Sequence, residues 1–324
     1  MKPIKTLFGS LVAATALLAS TGAVAQAQDF PNKALRIVVP FTAGSGSDAD
    51  SRFYGDLLSK RLGQPVVVEN RPGGSGLIAV QSVKSAPADG YSILLASNSP
   101  MSVNPAILKN LPYDPFKDFK PLVGSAVGPA AFVVKGDSPY RTMQELVAAA
   151  KKEKRPIAIG NYSAGYQLVA AWLGTAGHVE INHINYKGGS QMVTDVIGGQ
   201  LEMAIVDPSS FVDMHKSGRV RMLAATGAKR MDAIAEVPTM IESGFADFET
   251  YVWSSFFVRS ETPDEITKKL IKALSEGMAQ PEAVAYRQQR GAGYLDLKGD
   301  DMRKFQVREY ERFKRVAEAA GLVQ

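Results

Sequence analysis

The chain contains no cysteine among its 324 residues. Without thiols it cannot form a disulfide bond, so its stability must come from burial of a hydrophobic core. The absence also excludes thiolate nucleophiles and thiolate metal ligands. A lipid-anchored bacterial lipoprotein requires a cysteine at its cleavage site, so the sequence does not predict a lipoprotein.

Histidine is scarce as well, with only His178, His183 and His215 in the chain. The first two are separated by five positions across a predicted turn and strand, so they do not share one helix face, and no acidic cluster joins them. We therefore predict structural or surface roles for all three and no metal site. Residues 73–76 are rich in glycine but lack the Lys-Ser/Thr ending of a phosphate loop, so no cofactor is predicted.

Long apolar runs are missing as well. The first 27 residues combine two early lysines, a short apolar run at Leu7–Leu18 and small-x-small cleavage sites that end at Ala25 and Ala27. This pattern predicts a secretory signal peptide over residues 1–27, cleaved after Ala25 or Ala27. The apolar run is too short for a membrane span, which needs about 20 residues. An exported chain of this kind is expected in the periplasm.

The charge shows no strong excess of one sign. Lys and Arg number 37 against 32 Asp and Glu, and opposite charges are interspersed. The densest basic cluster, Lys151–Arg155, includes Glu153 and ends a predicted helix, which indicates a solvated helix face. We predict no nucleic-acid binding, whereas the mild positive excess would suit an anionic ligand.

The most informative stretch begins with the apolar run Leu35–Val39, which ends abruptly in a loop of small and polar residues. An amphipathic helical pattern follows and continues to Leu62, which predicts a strand, a loop and a helix. Ser47 or Asp48 can cap this helix. The remaining free amides, with the positive end of the helix dipole behind them, offer a place for an anion. Taken alone, the loop favours an ordinary capped turn, and the anion site gains support only from the rest of the chain.

Predicted strands and helices alternate along the rest of the chain, which indicates mostly parallel sheets covered on both faces. Two extended segments, Leu122–Val134 and Glu249–Val258, interrupt this alternation and are predicted to cross between two lobes. The predicted fold is α/β with two lobes, each a mostly parallel sheet flanked by helices, joined by two crossing hinge strands around a cleft. Lobe 1 comprises residues 28–127 plus 253–324, and lobe 2 comprises residues 128–252.

A second glycine-containing turn, Lys187–Ser190, precedes a predicted helix of lobe 2. If it faces the loop Phe41–Asp48 across the cleft, one ligand carboxylate can receive amide hydrogens from both lobes. Such charge-assisted bonds contribute about 1.5–3 kcal/mol each, so a few of them support roughly micromolar binding. This construction requires no Lys or Arg side chain. Ser97 and Asn98 directly follow a strand, where ligands gather in open α/β sheets.

Several segments together resemble the periplasmic solute-binding receptors of tripartite tricarboxylate transporters, also called the Bug family. The resemblance covers nearly the whole mature chain, and its segments are Pro31–Phe41, Gly44–Asp48, Leu62–Gly73, Ala88–Tyr91, Tyr186–Gly189, Gly198–Gln200 and Val237–Thr239. It implies a two-lobed, type II-like periplasmic binding fold. The usual ligands of the family are di- and tricarboxylates, acidic amino acids and aromatic acids. They are delivered to a permease of one large and one small membrane subunit.

The resemblance also implies which residues form the site, because in this family the two glycine-containing loops hold a ligand carboxylate, partly through ordered water. Carried over residue by residue, the implied ligand-binding residues are Phe41, Ala43, Gly44, Ser45, Ser47, Asp48, Lys187, Gly188 and Gly189, with Ser97, Asn98 and Asp207 at strand ends. The chain departs from the family at Ser190, which replaces Ala, and at Tyr166, where Ser is common. A tyrosine could narrow the pocket, stack on a ring or donate a hydrogen bond.

Some roles stay open at the level of sequence. Tyr162 and Tyr166 belong either to the pocket or to the core, Trp253 either lines the cleft or fills the hinge, and Lys187 either contacts the ligand or is exposed. The leading hypothesis is a monomeric binding receptor without catalysis. An alternative with the same fold is an orphan sensory protein that signals its ligand to a sensor kinase. A periplasmic hydrolase is a third, but the sequence has no Gly-x-Ser-x-Gly elbow and no acid–base constellation.

Overall fold

The computed structural model describes residues 30–290 and 293–323, and the predicted signal peptide lies outside these residues. The described strands are β1 (Leu35–Val39), β2 (Val66–Asn70), β3 (Ser92–Ser97), β4 (Phe119–Gly128), β5 (Ala131–Lys135), β6 (Ile157–Asn161), β7 (Ile181–Asn185), β8 (Met203–Val206), β9 (Val220–Ala225) and β10 (Val252–Arg259). The described α-helices are α1 (Gly46–Leu62), α2 (Leu77–Lys84), α3 (Asn104–Ile107), α4 (Met143–Glu153), α5 (Ala164–Gly177), α6 (Gly189–Gly198), α7 (Val212–Lys216), α8 (Asp264–Met278), α9 (Pro281–Arg290) and α10 (Gly299–Ala319).

These strands form two five-stranded sheets, ordered β2-β1-β3-β10-β4 and β7-β6-β8-β5-β9. Strand β1 is parallel to β2 and β3, and β6 is parallel to β7 and β8. By contrast, β10 is antiparallel to both of its neighbours, and so is β5. The prediction of two α/β lobes is confirmed, although the sheets are more mixed than predicted. Parallel pairs need helical crossovers, whereas β5 and β10 enter their sheets directly from the opposite lobe.

The chain passes from the first sheet to the second at Pro129 and Ala130 and returns before Val252. We expected a single extended segment over Leu122–Val134, but the structure divides it into β4 and β5, which belong to different sheets. Proline has no amide hydrogen for a strand ladder, which explains a break at this position. Near the crossing, the hydroxyl groups of Ser125 and Ser254 are 2.8 Å apart and tie β4 to β10.

Each lobe has its own buried core. In the first lobe, the apolar face of α1, with Leu57 and Leu58, packs with Leu270 and Leu274 of α8. In the second, apolar residues of β5, β6 and β8 pack against α4 and α5. None of the described helices combines the length and the apolarity that a membrane crossing requires.

Helix α10 supports the edge of the cleft from behind. Its Gln306 is fully buried and donates a hydrogen bond to the carbonyl oxygen of Met101 at 2.8 Å. The hydroxyl group of Ser102 donates to the carbonyl oxygen of Gln306 at 3.2 Å. These bonds fix the short helical turn Ser99–Val103, which follows β3 and faces the second lobe.

Candidate functional site

A cavity lies between the two sheets, where the carboxyl ends of several parallel strands meet. It encloses about 780 Å³ of empty space, part of which is open to solvent. The part that a water-sized molecule can occupy is about 80 Å³. This is less than the about 300–1,000 Å³ usual for small-molecule sites, so the cleft is narrow in this structure. The first lobe contributes Phe41, Ser45, Gly46, Ser47, Asp50, Ser97, Ala126, Val127, Gly128, Trp253, Ser254 and Arg290; the second lobe and the crossing segments contribute Pro129, Tyr162, Ser163, Tyr166, Asp207, Pro208, Ser209, Met231 and Val252.

The N-terminus of helix α1 points into this cavity. Ser45 is the N-cap, and its hydroxyl oxygen accepts a hydrogen bond from the Asp48 amide at 3.2 Å. The amides of Gly46 and Ser47, in the first turn, have no acceptor within the helix. Both residues line the cavity. This arrangement presents free amide hydrogens and the positive end of the helix dipole to a ligand.

Asp48 holds the loop in place and does not face the cavity. Its buried carboxylate accepts hydrogen bonds at 2.9 Å from the Gly44 amide, the Arg52 guanidinium and the Asn70 side-chain amide. Asn70 also donates to the carbonyl oxygen of Phe41 at 3.1 Å. Burial alone would raise the pKa of the Asp48 carboxyl, but the bonds from Arg52, Gly44 and Asn70 lower it below its ordinary value.

We expect Asp48→Ala to lower the free energy of unfolding by about 2 kcal/mol and ligand affinity about tenfold, because the loop loses its anchor. The exposed Arg52 contributes little of this, since its charge is screened by solvent. Urea unfolding and calorimetric titration would measure both effects. Asp56→Ala, an exposed position on the same helix, is the matched control and should change stability by less than about 0.5 kcal/mol. Equal effects of the two substitutions would contradict the anchoring role.

Aromatic side chains form one wall of the cavity. The rings of Phe41 and Tyr162 meet edge to face at 5.7 Å between centroids, and those of Tyr162 and Tyr166 at 4.9 Å. The two tyrosine hydroxyl groups are 3.4 Å apart. Burial raises the pKa of both tyrosines, so they stay protonated and can donate hydrogen bonds. Trp253 is 1% exposed, lines the cavity and also packs against Phe305, so it serves both the cleft and the hinge core.

Charged side chains gather beside the helix end. Asp50 of α1 accepts a hydrogen bond from the Tyr286 hydroxyl at 2.9 Å, and its carboxylate oxygen is 4.0 Å from Nε of Arg290. The Arg290 guanidinium lies over the Tyr286 ring at 5.5 Å. Its Nε is buried and has no hydrogen-bond partner among the described residues. Nε therefore faces Asp50, whereas Nη2 lies 3.5 Å from a β-carbon position at Gly46 and can pair with a ligand carboxylate at the helix end.

The carboxyl group of Asp50 is expected to make stability depend on pH. Burial raises its pKa to about 6, although Arg290 and Tyr286 oppose the rise. The unfolded value is about 3.9, so the folded state binds more protons in this window. The stabilising contribution of the protonated group is therefore complete below about pH 4 and is lost as the pH rises through 6.

We expect Asp50→Asn to become more stable relative to the parent protein by about 2 kcal/mol between pH 4.5 and pH 8. Asparagine keeps the acceptor for the Tyr286 hydroxyl and removes only the ionisation. Urea unfolding of both proteins at several pH values would measure the difference. A difference that does not change with pH would show that Asp50 does not titrate in this range.

The two lobes are in contact across the cleft. The Gly165 amide of α5 donates to the Ser99 hydroxyl at 3.0 Å. A β-carbon added at Gly188 would lie 2.1 Å from Thr42 Oγ1, and one added at Gly46 would lie 2.8 Å from Asp207 Oδ2. The structure therefore shows a closed arrangement, in which the two predicted glycine-containing loops touch.

The cavity includes only part of the residues predicted from the sequence. Those that line it are Phe41, Ser45, Ser47, Ser97, Tyr162, Tyr166 and Asp207. Among the described residues, the lining does not include Ala43, Gly44, Asp48, Asn98, Lys187, Gly188, Gly189 or Ser190. Gly189 lies behind the wall instead, since a β-carbon there would be 3.4 Å from the Tyr162 ring. Asn98 is buried against the start of α5, near Gly165.

Sequence reasoning missed the charged group of Asp50 and Arg290. The expected anion site used main-chain amides without any Lys or Arg side chain, whereas the structure places a guanidinium in the cleft wall. Asp50 could have been found from the sequence, because it lies four positions, about one helical turn, after Gly46 and therefore faces the same side. No sequence pattern pointed to Arg290, because it lies 240 positions after Asp50, at the end of α9, and only tertiary packing brings it to the site.

The sequence matches known proteins over most of its length. The model of the tripartite tricarboxylate transporter family receptor matches residues 51–322. A UPF0065 protein of Bordetella bronchiseptica is 35% identical over 284 residues, which cover 88% of this chain and 84% of that protein. The solved structure of periplasmic binding protein BugD has a TM-score of 0.86 and 30% identity, covering 91% of this chain and 99% of that one. R. palustris Rpa4515, solved with adipate, has a TM-score of 0.86 and 29% identity, covering 90% and 99%.

Proposed function

Since this chain belongs to the tripartite tricarboxylate transporter receptor family, we propose that it is a periplasmic receptor that captures a small carboxylate between its lobes. The predicted signal peptide, residues 1–27, directs export to the periplasm. The loaded receptor, a monomer without a cofactor or a catalytic role, delivers its ligand to a permease of one large and one small membrane subunit.

The observation that carries this proposal is the positive end of the cavity. The free amides of Gly46 and Ser47 and the guanidinium of Arg290 converge on one side of an enclosed space. Each charge-assisted hydrogen bond contributes about 1.5–3 kcal/mol. Two to four such bonds, less the cost of ordering, support roughly micromolar affinity.

Other residues of the cavity lining suit the carbon frame of an acid. Val127, Met231 and Val252 add apolar surface to the aromatic wall of Phe41, Tyr162 and Tyr166. Both a short aliphatic chain and an aromatic ring bury apolar area there. The relative Rpa4515, a structural neighbour that was solved with adipate, supports a carboxylic acid as the ligand class.

Calorimetric titration of the purified mature protein tests the proposal. The panel contains citrate, malate, glutamate, nicotinate, phthalate and terephthalate, with glucose and putrescine as neutral and cationic controls. We expect at least one carboxylate to bind at roughly micromolar concentration. Binding of a neutral sugar or a cation alone would overturn the proposal. Uptake of the bound acid by cells with and without the gene would test delivery to a permease.

A further inference from the structure

Asp207 lies beside the anion-binding end of the cavity. It follows β8 in the second lobe, and its Oδ2 atom would be 2.8 Å from a β-carbon at Gly46 of the first lobe. Burial is the main cause of the raised pKa of Tyr162 and of Asp50, and the negative charge of Asp207 raises both further. A ligand carboxylate held at the α1 terminus therefore lies next to a second negative charge.

The carboxylate of Asp207 can accept a further hydrogen bond. Oδ1 receives the Ser209 amide at 3.1 Å, and the Ser209 hydroxyl lies 2.8 Å from Oδ1 and 2.9 Å from Oδ2. One hydroxyl has one proton, so it serves only one of the two oxygens at a time. The Ser210 hydroxyl is at 3.4 Å from Oδ2, which is long for an O–H···O bond. At least one strong acceptor position on Oδ2 is open.

Arg290 and Asp207 face each other across this space without forming a pair. Arg290 Nη2 would be 3.5 Å and Asp207 Oδ2 2.8 Å from the same β-carbon position at Gly46, so the two atoms are at most about 6.3 Å apart. They do not form an ion pair, whereas Nε of Arg290 lies 4.0 Å from Asp50. A ligand at this end of the cavity can therefore offer a negative group to Arg290 and a hydrogen-bond donor to Asp207.

We propose that Asp207 determines specificity: it selects carboxylic acids that carry a hydroxyl or ammonium group close to the carboxylate over the matched acids without one. This inference rests on the proposed receptor function and deepens it. A donor on the ligand satisfies Oδ2 and offsets the repulsion between the two negative charges. An unsubstituted acid leaves Oδ2 unpaired in the closed cleft, which costs binding energy.

The experiment compares matched probes on the parent protein and on Asp207→Asn. The probes are succinate, L-malate and L-aspartate, and, for the aromatic series, phenylacetate and mandelate. We expect the parent protein to bind the better donor-bearing acid of one series at least about tenfold more tightly than its unsubstituted partner. In Asp207→Asn the ratio of the two dissociation constants should fall about tenfold, because the repulsion disappears and the donor loses a charged acceptor.

Asp213→Asn is the matched control, since Asp213 is an exposed residue of the same lobe on α7. It should keep the parental ratio. If acids bind to the parent protein but the unsubstituted acids bind equally well, or if Asp207→Asn keeps the ratio, the role of Asp207 is refuted and the receptor function stands. If none of the acids of either panel binds while glucose or putrescine does, both the receptor proposal and this inference are refuted.

Discussion

Gly188→Ala is expected to weaken ligand binding about a hundredfold and to leave the ligand-free protein folded. Gly188 has φ −173° and ψ 166°, an extended backbone conformation that alanine adopts without strain. The added methyl group would lie 2.1 Å from Thr42 Oγ1 and 3.2 Å from Thr42 Cβ. Rotation of the threonine moves the hydroxyl group but not Cβ, so the two loops must separate by a few tenths of an ångström and the closed contact is weakened. A ligand that binds by closing the lobes loses part of its contacts, at a cost of about 3 kcal/mol for a hundredfold change.

The double variant Thr42→Gly with Gly188→Ala tests whether the contact of the added methyl group with Thr42 causes the loss of affinity. Removing the threonine side chain makes room for the methyl group, so the double variant should recover most of the affinity, and Thr42→Gly alone should bind nearly as the parent protein does. Calorimetric titration measures the affinities, and thermal unfolding without ligand shows whether the fold is intact. Parental affinity of Gly188→Ala would show that the contact between the loops is not needed for binding.

Local sequence patterns were sufficient to predict the strand, loop and helix that form the backbone of this site. The apolar run Leu35–Val39 forms β1, and the polar loop after it leads into a capped helix, as alternation and turn chemistry predict. The cap itself is Ser45, two or three residues before the positions proposed from sequence. The helix accordingly begins at Gly46, and its first free amides are those of Gly46 and Ser47, which line the cavity. Boundaries of this kind depend on a few hydrogen bonds and are the least predictable part of an element.

The contacts that the side chains of the site make were harder to predict from the sequence. Asp48 was a candidate ligand contact, but its carboxylate is occupied by Gly44, Arg52 and Asn70. Asn70 belongs to β2, so the pairing of β1 with β2 brings it there, and no local pattern reports that contact. The same reason applies to Arg290, whose position depends on how α9 packs against α1. Turn and strand patterns specify the backbone, whereas the partners of a side chain depend on tertiary packing.

The charges around the cavity suggest why an arginine is useful here. Asp50 and Asp207 bring two carboxylates close to a helix end that would otherwise attract an anion. Without a compensating cation, they would repel the ligand that the helix end attracts. Arg290 places Nε beside Asp50 and Nη2 beside the helix end at Gly46, so it can compensate one of these charges and still donate to the ligand. Neutral and weakly acidic ligands depend less on this compensation than dianions do.

Arg290→Met is therefore expected to weaken binding of a dicarboxylate about a hundredfold. Truncating one partner of a buried, hydrogen-bonded charge pair costs about 2–5 kcal/mol. Methionine keeps an unbranched apolar side chain but removes the charge, all five donors and the contact of the guanidinium with the Tyr286 ring. Arg290→Lys should lie in between, because it keeps the charge and loses the planar fork that binds a carboxylate with two parallel bonds.

Two comparisons separate a ligand contact from a structural effect. Arg287→Met, on the same helix, is the matched control: Arg287 donates to the carbonyl oxygen of Met278 at 2.9 Å and does not belong to the described cavity lining, so this variant should keep nearly parental affinity. The second comparison uses malate and its monoamide. The parent protein should prefer the dianion, and Arg290→Met should lose most of that preference, since only the charged group needs the guanidinium. An equal loss of affinity for malate and its monoamide would mean that Arg290 shapes the cavity and does not recognise charge.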